Sequence, residues 1–144
     1  MRFMGLDLGT KTIGVAVSDA MGLIARGVET IHRKGEEKDL ARLRELVQQE
    51  EADAFVLGYP KNMNGTVGER AKASEAFKAV LEKEFPSMQI ILWDERLSTV
   101  AAEKVLVAAD VQRKKRKGLI DMMAAVVILQ NYLDSLGRSL HGNA

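Results

Sequence analysis

The chain has 144 residues, 47% apolar and 28% charged, which excludes a disordered segment and suits one domain with its own core. Its formal net charge is +1 at pH 7, so no global basic field marks a nucleic-acid binder, and zero cysteines exclude disulfides and thiolate metal sites. The longest apolar run, 122–129, is too short to span a bilayer, and Asp7 breaks the first apolar stretch before a signal-peptide core forms. A soluble, cytoplasmic protein without membrane partners is expected.

In chain order, Phe3 to Leu8 and Ile13 to Val17 read as two strands joined by the tight turn Gly9-Thr10-Lys11-Thr12. Leu23 to Ile31 reads as a third strand, with Gly22 allowing a turn and Gly27 a bulge or bend. Three successive strands imply an antiparallel meander. Leu40, Leu43, Leu46 and Val47 then repeat at helical spacing, predicting a helix over Glu36 to Glu50. Ala54 to Gly58 is a short buried strand, followed by the loop Tyr59 to Gly65. Thr66-Val67-Gly68-Glu69 fits a capping box for a second helix, which Pro86 shows to have ended. Met88 to Glu95 is a fifth strand ending in acid. Ser98 or Thr99 caps a third helix to about Ala109, and Gly118 precedes a last helix from about Leu119 to Leu136. The order βββ-α-β-α-β-α-α describes a mixed sheet flanked by helices, with residues 1–138 as one domain and 139–144 as a tail.

Three acidic positions lie in, or end, apolar segments: Asp7, the pair Asp94 and Glu95, and Asp121. An ionised aspartate inside an apolar strand is costly without a partner. Converging carboxylates repel one another, and divalent cations relieve that repulsion; oxygen donors alone favour Mg²⁺ or Mn²⁺ over zinc. Blander accounts stand beside this one. Asp7 on an edge strand serves as a turn cap, Asp121 in a first helical turn complements the helix dipole, and Asp94 and Glu95 form a solvated strand end paired with Arg96. The run Arg113-Lys114-Lys115-Arg116-Lys117 is either a phosphate-binding patch or a solvated loop. Lys61 and Asn62, in the loop after the fourth strand, sit where a helix N-terminus could hold phosphate, or in an ordinary Asn-Gly turn. His32 and His141 have no partners at ligand spacing, and neither GxGxxG nor GxxxxGK[ST] occurs.

Four blocks, Asp7 to Asp19, Gly58 to Thr66, Asp94 to Thr99 and Lys117 to Ala125, together resemble the YqgF family, also called RuvX, from about Arg2 to Leu136. The resemblance implies an α/β ribonuclease H-like fold, a five-stranded mixed sheet with its first three strands antiparallel. It also implies a metal-dependent nuclease, with Asp7, Glu95 and Asp121 as catalytic carboxylates holding Mg²⁺ or Mn²⁺, two ions in all. Lys11, Lys61, Asn62, Arg96 and Arg113 to Lys117 would then hold the nucleic-acid backbone. Members are described both as nucleases that process the 5′ end of pre-16S ribosomal RNA and as Holliday junction resolvases. The substrate is therefore a structured RNA precursor or branched DNA. A homodimer is required only by the resolvase alternative, which needs two sites acting together.

Two other classes compete. Asp7-Leu8-Gly9-Thr10 also resembles the phosphate loop of sugar kinases and actin-like ATPases, but those build their site between two domains. The other rival is a non-catalytic nucleic-acid-binding factor in transcription or ribosome assembly whose acidic site is vestigial, although all three carboxylates are present.

Overall fold

The structure, a computed structural model, describes residues 1–62, 64–95 and 113–142. Its elements are β1 (Phe3–Leu8), β2 (Thr12–Ser18), β3 (Ala25–His32), α1 (Glu36–Glu50), β4 (Ala54–Tyr59), α2 (Glu69–Glu84), β5 (Gln89–Asp94) and α3 (Arg113–Gly142). The helix expected between Ser98 and Ala109 lies outside the described residues. The five strands form one sheet in the order β3-β2-β1-β4-β5. β1 pairs antiparallel with β2, and β2 with β3, whereas β4 runs parallel to both β1 and β5. The first strand of the chain therefore lies at the centre, as the ribonuclease H-like reading requires.

Alternation along each strand divides the side chains between two faces. Met4, Leu6, Ile13, Val15, Phe55, Leu57 and Ile90 point to one side, where Leu40, Leu43 and Leu46 of α1 and Phe77 and Leu81 of α2 cover them. Phe3, Ala16, Ala54 and Val56 point to the other, beneath Ala125, Ile128, Leu129 and Leu133 of α3. Phe3 and Trp93 each meet the Tyr132 ring edge-to-face on that second side. Across the sheet, Phe55 and Phe85 make the same kind of contact.

Local chemistry moves several boundaries away from the pattern-based expectations. β3 begins at Ala25 rather than Leu23, because the Asp19 carboxylate accepts the N–H groups of Leu23 (2.7 Å) and Ile24 (3.0 Å) and holds both in a loop. The expected irregularity near Gly27 is a bulge at Val28: Val15 pairs with Glu29 and Ala16 with Gly27. The capping box at Thr66 does not form, and α2 starts at Glu69 behind Gly68, with no side-chain cap. The loop has captured the threonine instead, since Thr66 Oγ1 donates to Asn64 Oδ1 (2.7 Å) and accepts from Asn62 Nδ2 (2.9 Å).

The largest difference is in the last helix. It begins at Arg113 rather than Leu119, so the basic run is helical and not a loop. Lysine and arginine are good helix formers, and their propensity carries the helix across Gly118. Asp121 is thus about two turns inside the helix, beyond the reach of the first-turn dipole. Asp53, exposed on the connection between α1 and β4, clamps the start of β1. Its carboxylate accepts Arg2 N–H, and its own N–H donates to the Arg2 carbonyl, each at 2.8 Å.

Candidate active site

Asp7 is buried, 6% exposed, near the C-terminal end of the central strand. Alternation puts it with Phe3 and Gly5 on the face that α3 covers. Its cross-strand partner on β2 is Gly14. On the other side Leu6 pairs with Leu57, so one step further Asp7 stands beside Gly58 of β4. Asp7 is flanked by glycine on both sides.

Each glycine makes room for another carboxylate-bearing residue. A methyl group built on Gly14 would lie 1.9 Å from the Asp121 backbone carbonyl, so the helix rests directly on the strand there. A methyl on Gly58 would lie 3.0 Å from Glu95 Oε2 and 2.7 Å from Ile128 Cδ1. Asp7, Glu95 and Asp121 therefore share one face around the C-terminal ends of β1, β4 and β5, where ligands collect in open α/β sheets. Among the described residues, no three acidic or histidine side chains stand close enough to hold a metal. The donor set itself suits a hard cation: three carboxylates, one of them deeply buried, with no sulfur or histidine among them.

Asp94 and Glu95 part company. Trp93 packs on the α3 side, and Glu95 lies over Gly58 on that side too. Asp94 pairs with Tyr59. The Tyr59 hydroxyl bonds Glu75 of α2; that bond chiefly raises the tyrosine pKa, and the nearby Asp94 charge adds to the rise. Asp94 therefore belongs to the α2 side, and Glu95 is the strand-five acid on the site face.

Asp121 is held from below. Thr12, 7% exposed at the start of β2, donates its hydroxyl to Asp121 Oδ2 at 2.7 Å. The turn that places Thr12 is itself fixed. Gly9 N–H donates to the Thr12 carbonyl (2.8 Å), Arg33 N–H to Lys11 (2.8 Å), and Arg33 Nη1 to Gly9 (2.8 Å). Arg33 Nε in turn meets buried Asp39 at 3.3 Å. Neither Thr12, Gly14, Gly58, Arg33 nor Asp39 stands out in the sequence as a site residue; their roles depend on contacts across the sheet that spacing does not reveal.

The expected nucleic-acid contacts are scattered around this edge. Lys11 is exposed on the β1–β2 turn. Lys61 stands over the Tyr59 ring, its Nζ 5.5 Å from the centroid. Asn62 builds the loop, accepting Gly65 N–H (2.9 Å) and engaging Thr66 through backbone and side chain. Arg96 lies outside the described residues, as do the side chains of Arg113 to Lys117. Arg70, which spacing does not single out, reaches the Leu8 carbonyl at 3.5 Å from the first turn of α2, beside the end of β1.

A five-stranded sheet in the order β3-β2-β1-β4-β5, with its first three strands antiparallel and helices on both faces, defines the ribonuclease H-like fold class. Two solved resolvases share this fold. One is the T. thermophilus RuvC in complex with Holliday junction substrate, 16% identical, covering 95% of this chain and 96% of that one with a TM-score of 0.57. The other is the fowlpox virus Holliday junction resolvase, 15% identical over 94% and 99%, with a TM-score of 0.54. At those identities the likeness shows the fold alone.

Sequence comparison goes further. The family model described as "RuvX: Holliday junction resolvase" matches residues 1–135, and the chain belongs to that family. A protein of Geobacillus sp. (strain WCH70) is 64% identical over 137 residues, covering 94% of this chain and 99% of the relative. One of Bacillus subtilis (strain 168) is 60% identical over 138 residues, with the same coverage. Both bear the name "Putative pre-16S rRNA nuclease".

Proposed function

We propose that this chain is a metal-dependent nuclease that hydrolyses phosphodiester bonds of structured RNA, trimming the 5′ end of pre-16S ribosomal RNA in the cytoplasm. The observation that carries the chemistry is the glycine-flanked Asp7, with Glu95 and the Asp121-bearing helix set on its two sides. The relatives' name supports the RNA substrate.

Asp7, Glu95 and Asp121 would hold Mg²⁺ or Mn²⁺, two ions in the reading that fits three carboxylates on one face. Divalent ions in such a site supply a nucleophile at neutral pH and neutralise charge on the leaving oxygen. The chain's own contribution is placement. Burial fixes Asp7, and the bare backbone at Gly14 and Gly58 lets the two flanking elements approach it. Lys11, Lys61, Arg70, Arg96 and the Arg113 to Lys117 run would hold the phosphate backbone by charge, without reading base identity.

The test is cleavage of a pre-16S RNA fragment with Mg²⁺ or Mn²⁺, beside a four-way DNA junction. Asp7→Asn keeps the side-chain shape and removes the charge that would hold cations. The wild type should shorten the RNA at its 5′ end, and Asp7→Asn should bind it with equal or higher affinity yet leave it intact. Cutting of the junction alone would replace this reading with the resolvase alternative, which the family description favours. Equal cleavage by both proteins would remove Asp7 from the chemistry.

A further inference from the structure

Thr12 lies in the glycine-threonine turn, where its short polar side chain would pass for a turn former. Its side chain does something else. It bonds the carboxylate of a residue 109 positions away, at 2.7 Å, from a buried position on β2. We propose that Thr12 is the positioning residue for Asp121. This rests on the nuclease reading and extends it from the acids to what aims them.

Three constraints make Thr12 a rigid post. Its carbonyl closes the β1–β2 turn by accepting Gly9 N–H, and its backbone pairs with His32 of β3. Branching at Cβ limits its χ1 to few rotamers. The turn below it is braced by Arg33, which bonds Gly9 and Lys11 and is backed by buried Asp39. Above it the helix backbone at Asp121 sits hard on Gly14, two residues further along the same face of β2. The Asp121 main chain is therefore fixed by Gly14 and its carboxylate by Thr12. A hydroxyl has one proton to give, so this bond occupies Oδ2 and orients Oδ1. Groups that orient carboxylate ligands in this way typically control metal affinity or turnover by about 10–100-fold.

The experiment compares Thr12→Ala with Thr12→Ser, which both lose the methyl group and differ only in the hydroxyl. Thr12→Val, of nearly unchanged shape, provides a third arm. Thr12→Ala and Thr12→Val should lose about 10–100-fold in kcat, with RNA affinity unchanged. Free-Mn²⁺ titrations of the protein without RNA, followed by electron paramagnetic resonance, should show weaker binding in the same two variants. Thr12→Ser should recover both readouts, and adding Thr12→Ala to Asp121→Asn should cost nothing more. If Thr12→Ala and Thr12→Ser behave alike in both readouts, the hydroxyl does not position Asp121 and the proposal falls. If Asp121→Asn is inactive while Thr12→Ala cleaves like the wild type, the proposal falls and the nuclease reading stands. If Asp121→Asn itself cleaves at the wild-type rate, the site reading fails and takes the proposal with it.

Discussion

The two faces of the sheet are built from different kinds of residue. Beneath α1 and α2 the strands present Met4, Leu6, Ile13, Val15, Phe55 and Leu57, a continuous apolar layer. Beneath α3 the same three strands present Phe3, Gly5, Asp7, Thr12, Gly14, Ala16, Ala54, Val56 and Gly58, in which bulk falls away toward one end. Large side chains on one face supply the buried area that stabilises the domain. On the other, the glycines at one end let a helix and a strand end bring acidic groups against the central strand. One sheet, through the alternation of its side chains, thus carries an apolar layer on one face and the residues of the proposed site on the other.

That division can be broken experimentally, and the largest effect is expected on the apolar face. Leu43→Ala, at a site with no solvent exposure, should cost about 2–5 kcal/mol in urea unfolding. The folded fraction should keep its kcat at low temperature. A proportional loss of kcat would show that the faces are coupled. Next comes metal binding. At a hundredfold excess over Kd, Mn²⁺ should stabilise the wild type by about 2.7 kcal/mol. Thermal melts should rise accordingly and rise less in Asp7→Asn, and equal shifts would place the cation elsewhere.

Gly58→Ala sharpens the contrast in the opposite sense. Its methyl would meet Ile128 Cδ1 at 2.7 Å and Glu95 Oε2 at 3.0 Å. Overpacking of this kind costs about 1–3 kcal/mol. Cleavage should fall by more than that loss of folded protein explains, because Glu95 must move aside; unchanged turnover would mean that Glu95 is not positioned there for catalysis. The smallest effect belongs to the Arg42–Glu29 pair at the edge of the apolar side. The Arg42 hydrogen bonds hold the Glu29 pKa below its ordinary 4.5. The pair's contribution is therefore present above about pH 5 and is lost as the pH falls through the lowered value. Both groups are partly solvated, so the loss should stay below about 1 kcal/mol in acid titrations of stability, and Glu29→Gln should abolish it.

Much of this was legible in the sequence for identifiable reasons. Strand alternation and the leucine spacing of α1 are local signals, and an aspartate inside an apolar strand reveals itself by its cost. The bounds of α1 follow directly from that spacing. Thr66 misled because a capping threonine and a loop threonine look alike until Asn62 and Asn64 compete for the hydroxyl. The start of α3 misled because a run of cations reads as solvated loop, whereas the same residues favour helix. The choice of Glu95 over Asp94 is a matter of parity along β5, which needs the strand's register and burial. Gly14, Gly58 and Thr12 were invisible in their roles, since each is defined by a neighbour far away in the chain.

The bond from Thr12 to Asp121 also sets an order of events during synthesis. The hairpins of β1, β2 and β3 can pair as soon as they leave the ribosome, long before residue 121 has been made. Asp7 is then in place with both of its companions, Glu95 and Asp121, still untranslated. With 109 residues between the post and the carboxylate it holds, the site assembles only when the last helix closes over the first strands. A nascent chain on a ribosome, surrounded by ribosomal RNA, thus lacks a complete site until residue 121 and the helix that carries it have been made.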